Sequence, residues 1–133
     1  MLEKLFSNKK IAKKVLIVED DALLSKILSQ VFLKENFQVA IVDNGLQVME
    51  AVNKFLPDII LLDLIIPGID GFAVLKQLKA DSTTEKIPVV MLSNLGDVGD
   101  VKSAKALGAD EYFIKSNVEM ERIVKYVKNK LKI

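Results

Sequence analysis

The sequence contains no cysteine and no histidine, and none of its apolar runs approaches the length of a membrane span. Without cysteine the chain has neither a disulfide framework nor a thiolate metal site, which suits a reducing compartment. Without histidine it has no imidazole for acid–base catalysis or metal binding. A spanning helix needs about 18 or more apolar residues, and the N-terminus lacks the apolar region of a secretory signal. We therefore expect a cytoplasmic protein without membrane insertion, whose chemistry depends on carboxylates, hydroxyls, lysines and backbone groups.

The chain is long enough for one domain, and its charge is unevenly distributed. Its 133 residues are 50% hydrophobic, which is enough for one well-buried core. The net charge is +1, but residues 1–14 carry five lysines and one glutamate, so the remaining residues carry −3. An acidic body lacks the broad basic face that nucleic-acid binding needs, so we expect no direct contact with nucleic acid. We expect residues 1–13 to form an N-terminal arm or short helix and residues 14–133 to form the domain.

Apolar runs of buried-strand character alternate with apolar residues at helical spacing. The runs predict five strands, at Val15–Val18, Phe37–Val42, Ile59–Leu62, Ile87–Leu92 and Tyr112–Ile114. The helical spacing predicts a helix after each strand, through Leu24–Phe32, Met49–Leu56, Phe72–Leu78, Val101–Leu107 and Met120–Leu131. The second strand is mixed in polarity, which suggests an edge, and two glycines predict a loop over Asn94–Gly99.

This alternation predicts an α/β fold of five βα units. Right-handed crossovers place helices on both faces of a parallel sheet. Five units fit a doubly wound, flavodoxin-like (βα)5 architecture with a five-stranded sheet of order 2-1-3-4-5. In that order the first and third strands are neighbours, and ligands bind where their carboxyl ends meet.

Four of the five predicted strands end on polar residues that we consider for a site, namely Glu19–Asp21, Asp63, Ser93 and Lys115. Asp43–Gly45, after the second strand, are predicted to form a turn and a helix cap. Each of the four has an ordinary alternative explanation as a helix cap, a turn residue or a solvated strand end. Because the carboxyl ends of parallel strands lie at one edge of the sheet, we expect the four to converge. Such a coincidence at four strand ends is much less expected than any one of them alone.

The chemistry of these groups indicates a cation and a phosphoryl group. Carboxylates in a confined cleft repel one another unless a cation lies between them. Oxygen donors without cysteine or histidine select Mg²⁺, or Mn²⁺. An aspartate can attack phosphorus to give an acyl phosphate, with a hydroxyl and an ammonium stabilising the charge. The first βα turn holds acids where a nucleotide or flavin phosphate would need glycines and N–H donors.

Four segments together resemble the receiver domain of two-component response regulators, over roughly residues 14–131. They are Val15–Asp21, Leu61–Gly71, Val89–Ser93 and Gly108–Lys115. Each segment alone is a weak signal, whereas their order and spacing together are specific. The resemblance implies a stand-alone receiver that accepts a phosphoryl group from a histidine kinase or phosphotransfer protein and signals to a downstream effector.

The resemblance also implies roles for individual residues. Asp63 is the phosphoacceptor by this resemblance. Asp20 would bind Mg²⁺ directly and Glu19 through a water, while Asp63 and the backbone carbonyl of Ile65 would complete the protein ligands.

Three further residues belong to phosphate binding and switching by the same resemblance. Ser93 would be the switch hydroxyl, Lys115 the phosphate-binding lysine, and Tyr112 the aromatic residue that turns inward when Ser93 moves. The surface around the fourth helix, fifth strand and fifth helix would then change for the effector. No output domain is expected after the fifth helix.

The chain departs from the family pattern at four positions. Ser116 follows Lys115 where the family has a proline after a cis peptide bond; a cis bond before another residue costs about 2.5–4 kcal/mol. Asn94 stands where a small alanine is usual. Ile65 and Leu95 lie at positions that influence hydrolysis, and their apolar side chains cannot position a water molecule, so we expect slow autodephosphorylation.

Two other functions are compatible with parts of this pattern. A degenerate receiver, used only for docking, is favoured slightly by Ser116 and Asn94. A phosphatase with an aspartyl-phosphate intermediate would share the strand-end aspartate. Such enzymes place a second aspartate two residues later, where this chain has Ile65. We therefore expect a signalling phosphoacceptor and not an enzyme.

Overall fold

The computed structural model describes residues 12–94 and 98–133. Its strands are β1 (Lys14–Val18), β2 (Gln38–Val42), β3 (Ile59–Leu62), β4 (Val89–Ser93) and β5 (Glu111–Ile114). Its helices are α1 (Ala22–Lys34), α2 (Val48–Phe55), α3 (Gly71–Ala80), α4 (Val98–Ala106) and α5 (Met120–Leu131), with a 3-10 turn at Gly45–Gln47. Most of the predicted N-terminal arm lies outside the described residues, as does Leu95.

The strands form one parallel sheet of order β2-β1-β3-β4-β5, which confirms the predicted topology. The three interior strands β1, β3 and β4 are almost fully buried because helices cover both of their faces. The predicted edge position of β2 is also confirmed. The first and third strands are therefore neighbours, as the order 2-1-3-4-5 requires.

Each face of the sheet supports its own hydrophobic cluster. On one face, residues of β1, β3 and β4 pack against α2, α3 and α4, through side chains such as Val52, Leu75 and Ala104. On the other face, alternate residues of the same strands pack against α1 and α5, with Phe32 and Val127 at the centre. Alternation along each strand distributes the apolar residues to the two clusters.

Element ends differ from the predicted ones where proline or glycine intervenes. The helix α2 ends at Phe55, and Leu56 is a left-handed, 68% exposed cap, because Pro57 disfavours a helical residue before it. The strand β4 begins after Pro88, which has no N–H to donate. The helix α4 begins at Val98, so the predicted loop over Asn94–Gly99 was too long.

No helix in residues 12–94 and 98–133 combines the length and the apolar composition that crossing a membrane requires.

Candidate functional site

The backbone ladder places four strand ends at one edge of the sheet. The amide of Asp63 donates to the carbonyl of Val18 at 3.0 Å, which extends the β1–β3 pairing by one residue. The amide of Lys115 donates to the carbonyl of Ser93 at 3.0 Å and extends the β4–β5 pairing in the same way. Polar residues that follow apolar strands are therefore held by sheet hydrogen bonds, not by flexible loops.

The turn after Asp63 is fixed by close packing at Gly71, the first residue of α3. Its amide donates to the carbonyl of Leu64 at 2.8 Å. A Cβ at this position would lie 2.4 Å from the carbonyl oxygen of Asp63 and 2.7 Å from the Cα of Leu64. Only glycine allows the helix to approach the backbone of the aspartate this closely. Gly68, with φ +85°, supplies the left-handed residue of the same turn.

Lys115 joins two carboxylates in this cleft. Its Nζ lies 2.7 Å from Oδ2 of Asp63 and also contacts Oε1 of Glu19. The side chains of Glu19 and Asp63 are 3% and 7% exposed, and that of Lys115 is 14% exposed. Charged hydrogen bonds of this kind are stronger when shielded from water. The three groups are therefore held as one ionic cluster.

The acidic residues approach one another closely enough to share a cation. Glu19, Asp20 and Asp63 each offer a carboxylate oxygen within 4.8 Å of the others. Asp20 is exposed, whereas the other two are buried. They line a cleft of about 350 Å³ that also contains Asp21, Ile65, Ser93, Asn94 and Lys115. The predicted convergence of four strand ends is thus present in the structure.

Burial and pairing shift the pKa values of two groups in the cleft. Burial raises the pKa of the Glu19 carboxyl, although hydrogen bonds from Lys115 and the Asp21 amide offset part of this effect. Burial alone would lower the pKa of Lys115, but its hydrogen bonds to Asp63 and Glu19 outweigh that and raise it. The lysine is therefore a permanent cation at neutral pH.

Two residues of the cleft were not assigned roles from the sequence. Asp21 caps α1, because its Oδ1 accepts from the amides of Leu23 and Leu24 at 3.0 and 3.1 Å. A helix cap was one of the ordinary explanations that the sequence left open for the acidic residues after the first strand. Asn94 also lines the cleft. It directly follows Ser93, the last residue of β4, and this position at a strand end is the feature of the sequence that could have predicted it.

The remaining predicted residues occupy distinct environments. Ser93 is 1% exposed and lines the cleft. The amide of Ile65 donates to Oδ1 of Asp63 at 3.2 Å, while its side chain is 59% exposed. Tyr112 is 8% exposed and packs in the cluster beneath α2–α4. The described residues contain no cis peptide bond, so the Lys115–Ser116 peptide is trans.

The donor set fits a hard divalent cation. The three carboxylates offer only oxygen, and the chain has no cysteine or histidine to favour a softer metal. Mg²⁺ usually takes one or two protein carboxylates and keeps several waters, for which an open cleft with one exposed aspartate has room.

Two bacterial proteins are among those with similar sequences. The DNA-binding response regulator MtrA of Mycobacterium tuberculosis is 40% identical over 103 residues, covering 77% of this chain and 44% of MtrA. The sporulation initiation phosphotransferase F of Bacillus subtilis is 39% identical over 103 residues, covering 77% of this chain and 82% of that protein. The chain therefore spans less than half the length of the MtrA relatives.

Structural and family comparisons agree with these similarities. The Mn²⁺-bound form of the response regulator Rcp1 superposes with a TM-score of 0.76 at 28% identity, covering 87% of this chain and 91% of that one. Residues 15–128 match the response regulator receiver domain. With the sheet order and the acidic cleft described above, this match shows that the chain belongs to the response regulator receiver domain family.

Proposed function

We propose that Asp63 accepts a phosphoryl group from a histidine kinase or a phosphotransfer protein. An oxygen of its carboxylate forms a bond to phosphorus while the P–N bond of the donor phosphohistidine breaks. The imidazole nitrogen leaves with the electron pair of that bond. The product is an acyl phosphate on the aspartate.

One observation carries this proposal, namely the ammonium of Lys115 beside the buried carboxylate of Asp63. The 2.7 Å contact places a fixed positive charge where an added phosphoryl group would bring negative charge. Ser93, at the end of the adjacent strand, lines the same cleft and offers a hydroxyl. We propose that Lys115 and Ser93 bind the phosphoryl oxygens.

We further propose that the reaction depends on Mg²⁺ or Mn²⁺. Asp20, Asp63 and the backbone carbonyl of Ile65 would hold the ion directly, and Glu19 would hold it through a water. Such an ion, when bound, neutralises charge on phosphoryl oxygens. The three clustered carboxylates and the Mn²⁺-bound relative Rcp1 support this assignment.

The proposed consequence of phosphorylation is a changed surface for a downstream effector. Movement of Ser93 toward the phosphoryl group would alter the packing of Tyr112 on the neighbouring strand β5. Met91 and Tyr112 are paired in register, and Tyr112 packs in the same cluster as Ala104 of α4. The surface formed by α4, β5 and α5 would thereby respond, and couplings of about 1–3 kcal/mol are enough for signalling.

The wider role of the protein is proposed on the same basis. We infer a signalling phosphoacceptor that assists its own phosphorylation and slow dephosphorylation, without turnover of an external substrate. A domain boundary at residue 14, a cytoplasmic location and the absence of nucleic-acid contact stay predictions. The relative MtrA is named a DNA-binding response regulator, so the predicted absence of nucleic-acid contact needs its own test. The chain matches less than half the length of MtrA.

The proposal is tested with acetyl phosphate as phosphodonor. Incubation with acetyl phosphate and Mg²⁺ should add one phosphoryl group, detected by intact-protein mass spectrometry and lost at alkaline pH. The variant Asp63→Asn should gain none. Asp43→Asn removes an exposed aspartate that lies outside the carboxylate cluster and should be phosphorylated like the parent.

Other outcomes separate the alternatives. A folded protein that takes no phosphoryl group, with or without Mg²⁺, would support the degenerate docking module. Rapid release of inorganic phosphate from excess phosphodonor would support the aspartyl-phosphate phosphatase. Labelling of Asp63→Asn would contradict the assignment of the phosphoacceptor.

A further inference from the structure

The turn between β2 and α2 does more than cap a helix. The sequence predicts a turn and a helix cap at Asp43–Gly45, and the proposed function gives this segment no role. Asn44 does act as a cap, because its Oδ1 accepts from the amide of Gln47 at 3.1 Å. Gly45 is buried and contacts the loop that follows β3. A cap alone does not require that contact.

Gly45 is joined to this loop by a backbone hydrogen bond. Its amide donates to the carbonyl of Pro67 at 2.9 Å. Among the backbone hydrogen bonds between described residues, this is the one that ties Ile65–Ile69 to an element outside the connection from β3 to α3. Leu46 extends the contact, since a Cβ on Gly68 would lie 3.0 Å from its Cγ.

The two backbones approach so closely at Gly45 that no side chain fits between them. A Cβ on Gly45 would lie 2.1 Å from the carbonyl oxygen of Ile69 and 2.7 Å from its Cγ1. This is the tightest approach at any of the described glycines. Real Cβ atoms essentially never come within 3.0 Å of another heavy atom. An alanine at this position would therefore force the turn and the loop apart.

The loop that Gly45 contacts carries Ile65, whose backbone faces Asp63. The amide of Ile65 donates to Oδ1 of Asp63 at 3.2 Å, and its carbonyl is a proposed ligand of the cation. A backbone carbonyl cannot turn by a change of rotamer, so its direction depends on how the loop is held. Groups that orient a metal ligand typically change metal affinity about 10- to 100-fold.

We propose that Gly45 is a positioning residue of the site. Through Pro67 and Ile69 it holds the loop so that the backbone of Ile65 faces Asp63 and the cation. The turn between β2 and α2 thereby sets cation affinity without lining the cleft. The inference rests on the proposed cation site and adds a residue from an element that supplies none of its ligands.

The first test measures Mn²⁺ affinity by electron paramagnetic resonance of free Mn²⁺. Gly45→Ala should bind Mn²⁺ about tenfold more weakly than the parent. Gly108→Ala is the control for a general loss of stability, because Gly108 lies between α4 and β5, has φ +105°, and a Cβ there would lie 3.1 Å from Cγ of Lys79. It should lower the midpoint of urea unfolding and leave Mn²⁺ affinity unchanged. Circular dichroism establishes that both variants are folded during the titration.

The second test uses the parent protein, and it decides if Gly45→Ala does not fold. If the turn holds the loop for the cation, a bound cation has to stabilise the turn to the same extent. Hydrogen exchange of the Gly45 amide, followed by NMR, should slow about 5- to 11-fold when Mg²⁺ is present at about ten times its Kd. The amide of Gly108 donates to the carbonyl of Lys105 at 3.1 Å at the end of α4, where opening is local, and its exchange rate should not change.

Three results would overturn the inference: a folded Gly45→Ala that binds Mn²⁺ like the parent, an equal loss of affinity in Gly108→Ala, or an equal effect of Mg²⁺ on the two amides. If the parent binds no Mn²⁺, the proposed cation site fails together with the inference. If the parent binds Mn²⁺ and is phosphorylated on Asp63 while any of the three results is obtained, only the inference fails.

Discussion

Single residues around the acidic cleft decide how long a phosphoryl group on Asp63 would last. The side chain of Ile65 lines the cleft and is 59% exposed, so it stands where a water molecule would approach the acyl phosphate. An apolar side chain cannot accept or donate a hydrogen bond to that water. Slow hydrolysis follows from the proposed function for this reason.

The variant Ile65→Asn should lose its phosphoryl group faster than the parent. An amide that positions the attacking water supplies one hydrogen bond of about 0.5–1.5 kcal/mol, which corresponds to roughly a 2- to 12-fold faster rate. The rate is measured by intact-protein mass spectrometry, as the loss of the phosphorylated mass with time at neutral pH after acetyl phosphate is removed. Ile41→Asn is the control, because Ile41 is an exposed isoleucine of β2 that does not line the cleft. An unchanged rate in Ile65→Asn would contradict this account.

The positions of the site residues could be predicted from the sequence, whereas their contacts could not. Apolar runs fix where each strand ends, so Asp63 and Lys115 were expected at one edge of the sheet. The contact between Lys115 and Glu19 spans from β5 to β1 and depends on the length and rotamers of two flexible side chains. The spacing of apolar residues in the sequence does not tell which rotamers two side chains adopt, or whether they meet.

At the scale of elements, two aspartates connect the starts of neighbouring strands. The amide of Val89 donates to Oδ2 of Asp110 at 2.9 Å, and the amide of Asp110 donates back to the carbonyl of Val89 at 2.8 Å. Lys14 and Asp58 form the same reciprocal pair at the start of β1, at 2.8 and 2.9 Å. These carboxylates extend the pairing of the sheet at the end opposite the cleft.

Replacing Asp110 by alanine should destabilise the fold by about 1–3 kcal/mol, because the amide of Val89 loses its acceptor in a half-buried position. Asp110→Asn retains an oxygen acceptor and should cost less than about 1 kcal/mol. Both values come from urea unfolding followed by circular dichroism. Asp58→Ala should resemble Asp110→Ala. Equal losses for the alanine and asparagine variants of Asp110 would show that the hydrogen bond is not what stabilises the strand start.

The type and order of the elements followed from hydrophobic pattern, but several of their ends did not. Leu56 continues the apolar spacing of α2, yet the following proline ends the helix before it. Val98 and Gly99 are helical, although Gly96 and Gly99 together predicted a loop over this stretch. Local steric rules and cap geometry decide such boundaries, and they are weaker signals than periodicity over a whole helix.

At the scale of the whole molecule, the clustered carboxylates of the cleft lower the stability of the fold, although the proposed function needs them. The sheet is buried on both faces and holds Glu19 and Asp63 in fixed positions, so their repulsion with Asp20 cannot relax by movement of the backbone. Lys115 offsets part of the repulsion through the two buried carboxylates, while the exposed Asp20 has no ion pair among the described residues. Part of this repulsion therefore remains in the folded protein when no cation is bound.

Removing the charge of Asp20 should therefore stabilise the protein while it weakens metal binding. For Asp20→Asn we expect a gain of about 0.5–1 kcal/mol, typical of exposed charge interactions, and a rise in Tm of roughly 2–5 °C. The same variant should lose about tenfold or more in Mn²⁺ affinity, since one proposed ligand becomes neutral. Asp43→Asn, at an exposed aspartate outside the cluster, should change neither property. Thermal unfolding without metal and Mn²⁺ titration of the two variants provide the comparison. A lower Tm for Asp20→Asn would mean that Asp20 stabilises the fold and that like-charge repulsion is not the dominant force in the cleft.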